Sequence, residues 1–204
     1  AAGAWVHVDG AFGLWAPASP RLAPLARGLG EADSWATDAH KWLNVPYDSG
    51  IAFDRDGAAL RGAMSVLAPY LGTGGPPEPC HATPEMSRRA RAVEIWAVLR
   101  TLGRAGVAEL VERSCVHAAR FAERLRAAGC QVLNDVVLNQ VLVSFGDDAR
   151  TDAVVAAVQR DGTAWCGPTV WHGRHAMRIS VSSWATREAD VERVADAIIE
   201  LAAL

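Results

Sequence analysis

Two short motifs near the N-terminus hold the residues best placed to do chemistry. The first is His7-Val8-Asp9-Gly10-Ala11-Phe12-Gly13 and the second is Asp33-Ser34-Trp35-Ala36-Thr37-Asp38-Ala39-His40-Lys41-Trp42, so that Lys41 follows Asp9 by 32 positions. Each ends a short apolar run. A lysine amine can attack an aldehyde and hold it as a Schiff base. A carboxylate on the neighbouring run can keep a pyridine nitrogen protonated, which makes the ring an electron sink. That pairing is what a pyridoxal 5'-phosphate site requires. The alternative readings are a surface lysine after a strand for Lys41 and a strand-end residue capping the next helix for Asp9.

The elements that must position these residues are short. Residues 5–9, 32–37 and 50–54 read as strands. Pro17, Pro20, Pro24 and the Gly28/Gly30 pair punctuate the first connection, leaving room for a brief helix over 21–28. Strands separated by helix-sized connections predict an α/β fold with a mainly parallel sheet, in which ligands sit beyond the carboxyl ends of strands. Residues 72–84, GTGGPPEPCHATP, are too rich in Gly and Pro for a regular element and read as a loop, with Tyr70 just before it. Helices are predicted over 87–102 and 107–128, broken at Gly103 and Gly106. Beyond them come a strand over 140–145, a helix over 151–160 with Thr151 as N-cap, a strand over 176–182 and an amphipathic helix over 187–201. The division expected is 1–92 for part of a large domain and 93–204 for linking helices and a small α+β domain.

Composition narrows the class. The chain has 204 residues, 50% of them hydrophobic, and a formal charge of −3. No long basic run points to nucleic acid, and no apolar stretch of roughly 18 residues points to a membrane span. Cys80, Cys115, Cys130 and Cys166 are scattered without metal spacing, so no metal is expected and free thiols in a reducing cytoplasm are. The chain opens on Ala1 and then directly on a strand, without a signal-peptide pattern, and reads as a fragment starting inside a domain. The eight tryptophans fit an aromatic-lined pocket or ordinary core and surface positions equally well.

Both motifs, in this order, resemble the group II pyridoxal-phosphate decarboxylases, the group of aromatic amino acid, glutamate and histidine decarboxylases. The resemblance implies a fold-type I enzyme, here its C-terminal portion, acting on an amino acid as a homodimer with a shared active site. It implies Lys41 as the Schiff-base lysine and Asp9 as the partner of the ring nitrogen. Ala11 matches the position where a small side chain lets the ring lie flat, although packing accounts for it as well. Thr37 and Asp38 fall in a stretch that helps hold the phosphate. Several relatives have Asn where this chain has Asp38, and a carboxylate beside a phosphate is repulsive. Asp38 is therefore expected to offer a backbone amide or to point elsewhere. His40 matches the histidine before the family lysine; a structural histidine is the other reading. His7 reads as structural.

Arg178, in Met177-Arg178-Ile179-Ser180-Val181, matches an arginine that binds the substrate α-carboxylate in several relatives, and the alternative is a strand arginine facing solvent. Among Arg88, Arg89 and Arg91, at least one is expected to meet an anion: a surface acid, the cofactor phosphate or the partner subunit. Relatives place a proton-donating Tyr on the mobile loop, and 72–84 contains none. His81 is the only imidazole there, able to donate a proton near neutral pH or simply to lie exposed. The implied reaction is decarboxylation to an amine and carbon dioxide. The alternatives are aldehyde formation, transamination or lyase chemistry on the same cofactor, and a catalytically silent dimerising fragment.

Overall fold

The computed structural model describes residues 3–65 and 78–203. Strand β1 (His7–Asp9) pairs in parallel with β2 (Ser34–Asp38), Asp9 opposite Ala36. Strand β3 (Gly50–Asp54) returns antiparallel along β2, Asp38 opposite Gly50. The sheet is thus mixed: the parallel expectation describes β1 and β2, while residues 39–49 are too few for a crossover and turn the chain straight back. The connection 10–33 contains three short 3-10 turns and no α-helix over 21–28. Its prolines lack the N–H a helix interior needs, and Gly28 sits at φ +86.

After β3, helix α1 (Gly57–Met64) starts on Asp56, whose Oδ1 accepts from the N–H groups of Ala58 and Ala59. Element α2 (Ala92–Ala127) consists of two helical runs that meet at Gly103, where φ +61 and ψ −175 interrupt the helix as predicted and are open to glycine. Gly106 stays helical. The start falls at Ala92 because Arg89 and Arg91 are engaged with the chain near Tyr47.

A second, fully antiparallel sheet follows in the order β4-β5-β7-β6, built from β4 (Gln131–Val132), β5 (Gln140–Ser144), β6 (Gly167–Trp171) and β7 (Arg174–Ser180). Helices α3 (Asp148–Asp161) and α4 (Glu188–Ala203) cover one face. The N-cap of α3 is Asp147 rather than Thr151: Asp147 Oδ1 accepts from Arg150 N–H, while the Thr151 hydroxyl donates back to Asp147 O and accepts from Phe145 N–H. No helix among the described residues is long and apolar enough to cross a membrane.

Two hydrophobic clusters result, and α2 contributes to both. Val107, Val111 and Cys115 pack with Ala16, Leu22, Ala39, Trp42, Leu43 and Val45 beneath the first sheet. One to three turns later, Ala118, Phe121, Ala122 and Leu125 pack against Val141, Val143, Met177, Ile179 and Ile198. Each large side chain buried here contributes about 1.5–3 kcal/mol. Ser19 also donates to Glu112, pinning the first connection to the same helix.

Candidate functional site

The turn after β2 is what presents Lys41. The Ala39 and His40 N–H groups both donate to Ser49 O (3.0 and 3.2 Å), which closes residues 39–49 into a tight lobe. Trp42 is fully buried at 0% exposure, edge-on to Phe12 with ring centroids 5.3 Å apart. With the indole anchored inward, the preceding side chain stays outside the apolar cluster. Lys41 is accordingly half-buried; its Nζ lies 2.6 Å from Asp38 Oδ2 and 5.1 Å above the Phe12 ring. The Asp38 carboxylate and the Phe12 ring face together fix where the amine sits.

His40 is held on three sides. Its Nδ1 accepts from Ser49 N–H (3.3 Å), its Nε2 lies 3.9 Å from Asp38 Oδ2, and its ring stacks on Tyr47 at 4.1 Å and 27°. The Tyr47 segment is itself clamped. Arg89 donates to Tyr47 O, and Arg91 pairs with Asp48 through Nε (3.0 Å) and Nη2 (3.2 Å). Of the partners open to the arginine run, Arg91 therefore takes an acid of its own chain. The Arg91 guanidinium holds the Asp48 carboxyl below its ordinary value, first through the hydrogen bond and then through charge.

Asp9 ends β1 on the strand next to β2. Because the two run parallel, Asp9 and Lys41 emerge at the same edge of the sheet, beyond the carboxyl ends. Asp9 Oδ1 accepts from Ala11 N–H (3.2 Å), and Gly10 N–H donates to Ala36 O (2.8 Å), fixing the exit of one strand against the other. Ala11 is half-buried between Asp9 and Phe12. Thr37 Oγ1 and Ser49 Oγ are buried beside Asp38 and His40 with no hydrogen-bond partner among the described residues. His7 Nδ1 and Trp5 Nε1 both meet Ser34 Oγ, at the opposite end of β1.

The remaining candidates lie further off. Arg178 projects from β7 on the face turned away from Met177 and Ile179, and is exposed. The chain leaving β7 reaches the Lys41 turn, where Asn44 bonds to Ser182 and Trp184. His81 sits in a 3-10 turn (Pro79–Ala82), its Nδ1 accepting from Glu78 N–H (3.2 Å) in a local cap. Among the described residues no hydrogen bond or ring contact joins His81 to Lys41. Tyr70 and positions 72–77 of the predicted loop lie outside the described residues. Burial pushes the Cys115 and Cys166 thiols up to about 11, so neither competes as a nucleophile near neutral pH.

Sequence reasoning passed over Phe12, Asn44, Tyr47 and Ser49. Phe12 and Tyr47 carried a signal, as aromatic residues within six positions of a proposed site residue. Asn44, a lone amide inside the apolar run Trp42-Leu43-Asn44-Val45, carried another.

Comparison with known proteins bears on this arrangement. The chain is 30% identical over 194 residues to the aromatic-L-amino-acid decarboxylase of Drosophila lebanonensis, covering 92% of this chain and 48% of that protein. Against the histidine decarboxylase of Drosophila melanogaster it is 30% identical over 193 residues, covering 92% of this chain and 23% of the relative. The chain thus spans about half or less of the length of these curated relatives. Its fold superimposes on the crystal structure of Oryza sativa TDC with PLP and tryptamine at a TM-score of 0.91 and 23% identity, covering 98% of this chain and 45% of that one. At that identity the match speaks for the fold alone. The model of the pyridoxal-dependent decarboxylase conserved domain matches residues 1–146, which include both motifs and all of α2. With most of its length inside that match, the chain belongs to the pyridoxal-dependent decarboxylase family.

Proposed function

We propose that the protein decarboxylates an L-amino acid to the amine and carbon dioxide, with pyridoxal 5'-phosphate held at Lys41. The observation that carries this reading is that Asp9 ends β1 and Lys41 follows the end of β2, the two strands being adjacent and parallel. The residues present fit the cofactor. Among the described residues Asp9 accepts a hydrogen bond only at Oδ1, and Thr37 Oγ1 and Ser49 Oγ are buried hydroxyls without a partner. When bound, pyridoxal phosphate supplies an aldehyde for the lysine and a ring that takes up the electron pair left at Cα when carbon dioxide departs.

The protein's own residues divide the remaining work. Lys41, whose amine pairs with Asp38, would be the residue that holds the cofactor. Asp9 would face the ring nitrogen, and Ala11 would leave room for the ring. Thr37 and Asp38 would border the phosphate, the Asp38 carboxylate being paired with Lys41. His40, fixed by Ser49 and Tyr47, is the nearest imidazole for moving a proton. Arg178 receives the substrate α-carboxylate, and His81 stands as the acid from the adjoining turn. Residues 1–92 form the cofactor side, and 93–204 the linking helix and small domain. A homodimer with a shared site is supported by apolar side chains left in solvent, Trp96 at 65% and Val93 at 61% on α2 and Trp5 at 61% before β1. Four free cysteines support a cytoplasmic setting.

The test uses the full-length protein with pyridoxal phosphate, borohydride reduction and mass mapping, followed by product analysis on a panel of L-amino acids. A phosphopyridoxyl adduct on Lys41 with carbon dioxide and amine as products is the expected result. Ammonia and aldehyde would reassign the reaction. A protein left unlabelled in excess cofactor would remove the catalytic reading and leave an interaction role.

A further inference from the structure

Asn44 stands three residues beyond Lys41 at φ +53, a left-handed conformation that costs most residues energy and asparagine less. Its N–H donates to Lys41 O (3.2 Å) and closes the turn that carries the lysine. Its side chain is fully committed. Nδ2 donates to Trp42 O (2.7 Å) and to Ser182 O (2.9 Å), and Oδ1 accepts from Trp184 N–H (3.3 Å). One amide therefore spans from the lysine turn to the segment leaving β7.

That segment is held from other sides as well. Asn139, 1% exposed, exchanges two backbone-directed bonds with Val181, donating from Nδ2 to Val181 O and accepting from Val181 N–H at its own carbonyl, both 2.9 Å. Arg113, on α2, donates to Trp184 O (3.0 Å). Residues 181–184 are thus a fixed strap between the second sheet, α2 and the Lys41 turn, and Ser182 is four positions past Arg178 on the same run of chain.

We infer that Asn44 is a positioning residue that sets the span between the Lys41 amine and the Arg178 guanidinium, and with it the seat of the amino-acid carboxylate. The inference rests on the roles proposed above for Lys41 and Arg178. A substrate gripped at its amine end by one element and at its carboxylate by another is aligned only if the two keep a constant separation. An amide suits the tie because it supplies two donors and an acceptor together. An aspartate here would set a carboxylate against two carbonyl oxygens.

Two variants test this in the full-length protein. Asn44→Gly keeps the left-handed backbone and removes the tie; Asn44→Asp tolerates the same backbone and removes the donors. Hydrogen exchange without cofactor is expected to rise in both variants, in the peptide over 41–45 and in that over 181–184. With cofactor, KM for the amino acid is expected to rise about tenfold, equivalent to about 1.4 kcal/mol, with kcat within about twofold and Lys41 still trapped by borohydride. Unchanged exchange at 181–184, or unchanged KM with Lys41 labelled normally, would overturn the positioning role. A fall in kcat at constant KM would overturn it too. A wild-type protein that takes no label at Lys41 refutes the reading of the site and the positioning role with it, and exchange then still reports on the tie.

Discussion

Adding one methyl group at Gly10 tests how tightly the Asp9 strand end is built. A Cβ at this buried glycine would lie 2.3 Å from Leu14 Cγ, 2.7 Å from Cδ1 and 3.0 Å from Cβ, all inside contact distance. Leu14 cannot step back as a whole, because its N–H donates to Gly10 O (3.2 Å) at the start of the 3-10 turn. Either Leu14 rotates out of its place, or the bond from Gly10 N–H to Ala36 O (2.8 Å) opens and Asp9 shifts with it. Overpacking of this kind costs about 1–3 kcal/mol. In a chain of this size each kcal/mol lowers Tm by about 2–4 °C, so Gly10→Ala is expected to melt about 2–12 °C early. Differential scanning calorimetry measures that shift, and titration with pyridoxal phosphate is expected to show weaker binding, because Asp9 is adjacent. In the double variant with Leu14→Ala the two costs should fall well short of additive, since the clash has gone. A single variant melting within about 1 °C of wild type would refute the packing argument.

Other perturbations reach different parts of the molecule. Gly103→Ala meets no neighbouring atom but forces a side chain into φ +61, so it should cost about 1–3 kcal/mol through backbone strain alone, read from urea midpoints. His175 is held above its ordinary value of 6.5 chiefly by its hydrogen bond to Asp152. Its contribution to stability is therefore complete below pH 6.5 and fades as pH rises through the raised value; urea midpoints at about pH 5 and about pH 9 should show this in wild type, and less of it in Asp152→Asn. The opposite sign holds for Asp48. Its depressed carboxyl stabilises the fold above 3.8 and ceases to do so as pH falls through the lowered value, and Arg91→Ala should move its NMR titration midpoint up towards 3.8.

Local chemistry was legible in the sequence, and long-range geometry was not. The ends of β1, β2 and β3 were readable within a few residues because apolar runs stop at Asp9, Asp38 and Asp54. The antiparallel return of β3 was hidden, since the direction of a strand is set by what its connection can span. Strand β6 escaped notice because its hairpin turns on His172-Gly173, at φ +49 and +77, and His is an uncommon choice for a left-handed position. At the site, Lys41, His40 and Asp38 were read together because they are close in sequence. The Phe12 ring over the lysine and the Tyr47 ring on His40 depend on how two loops fold back, which no local pattern encodes.

The bond from Asn44 to Ser182 joins residues 138 positions apart, and this imposes an order in time during synthesis. At 5–20 residues per second, about 7 to 28 s separate the emergence of the lysine turn from that of the strap that completes it. Through that interval the nascent chain carries Lys41 on a turn with one side unfastened, and Trp42 waits for the α2 residues that bury it. The reactive amine thus acquires its final setting only when nearly all of these 204 residues have been made. A chain cut short before residue 182 would keep both motifs and lack the strap that fastens the lysine turn.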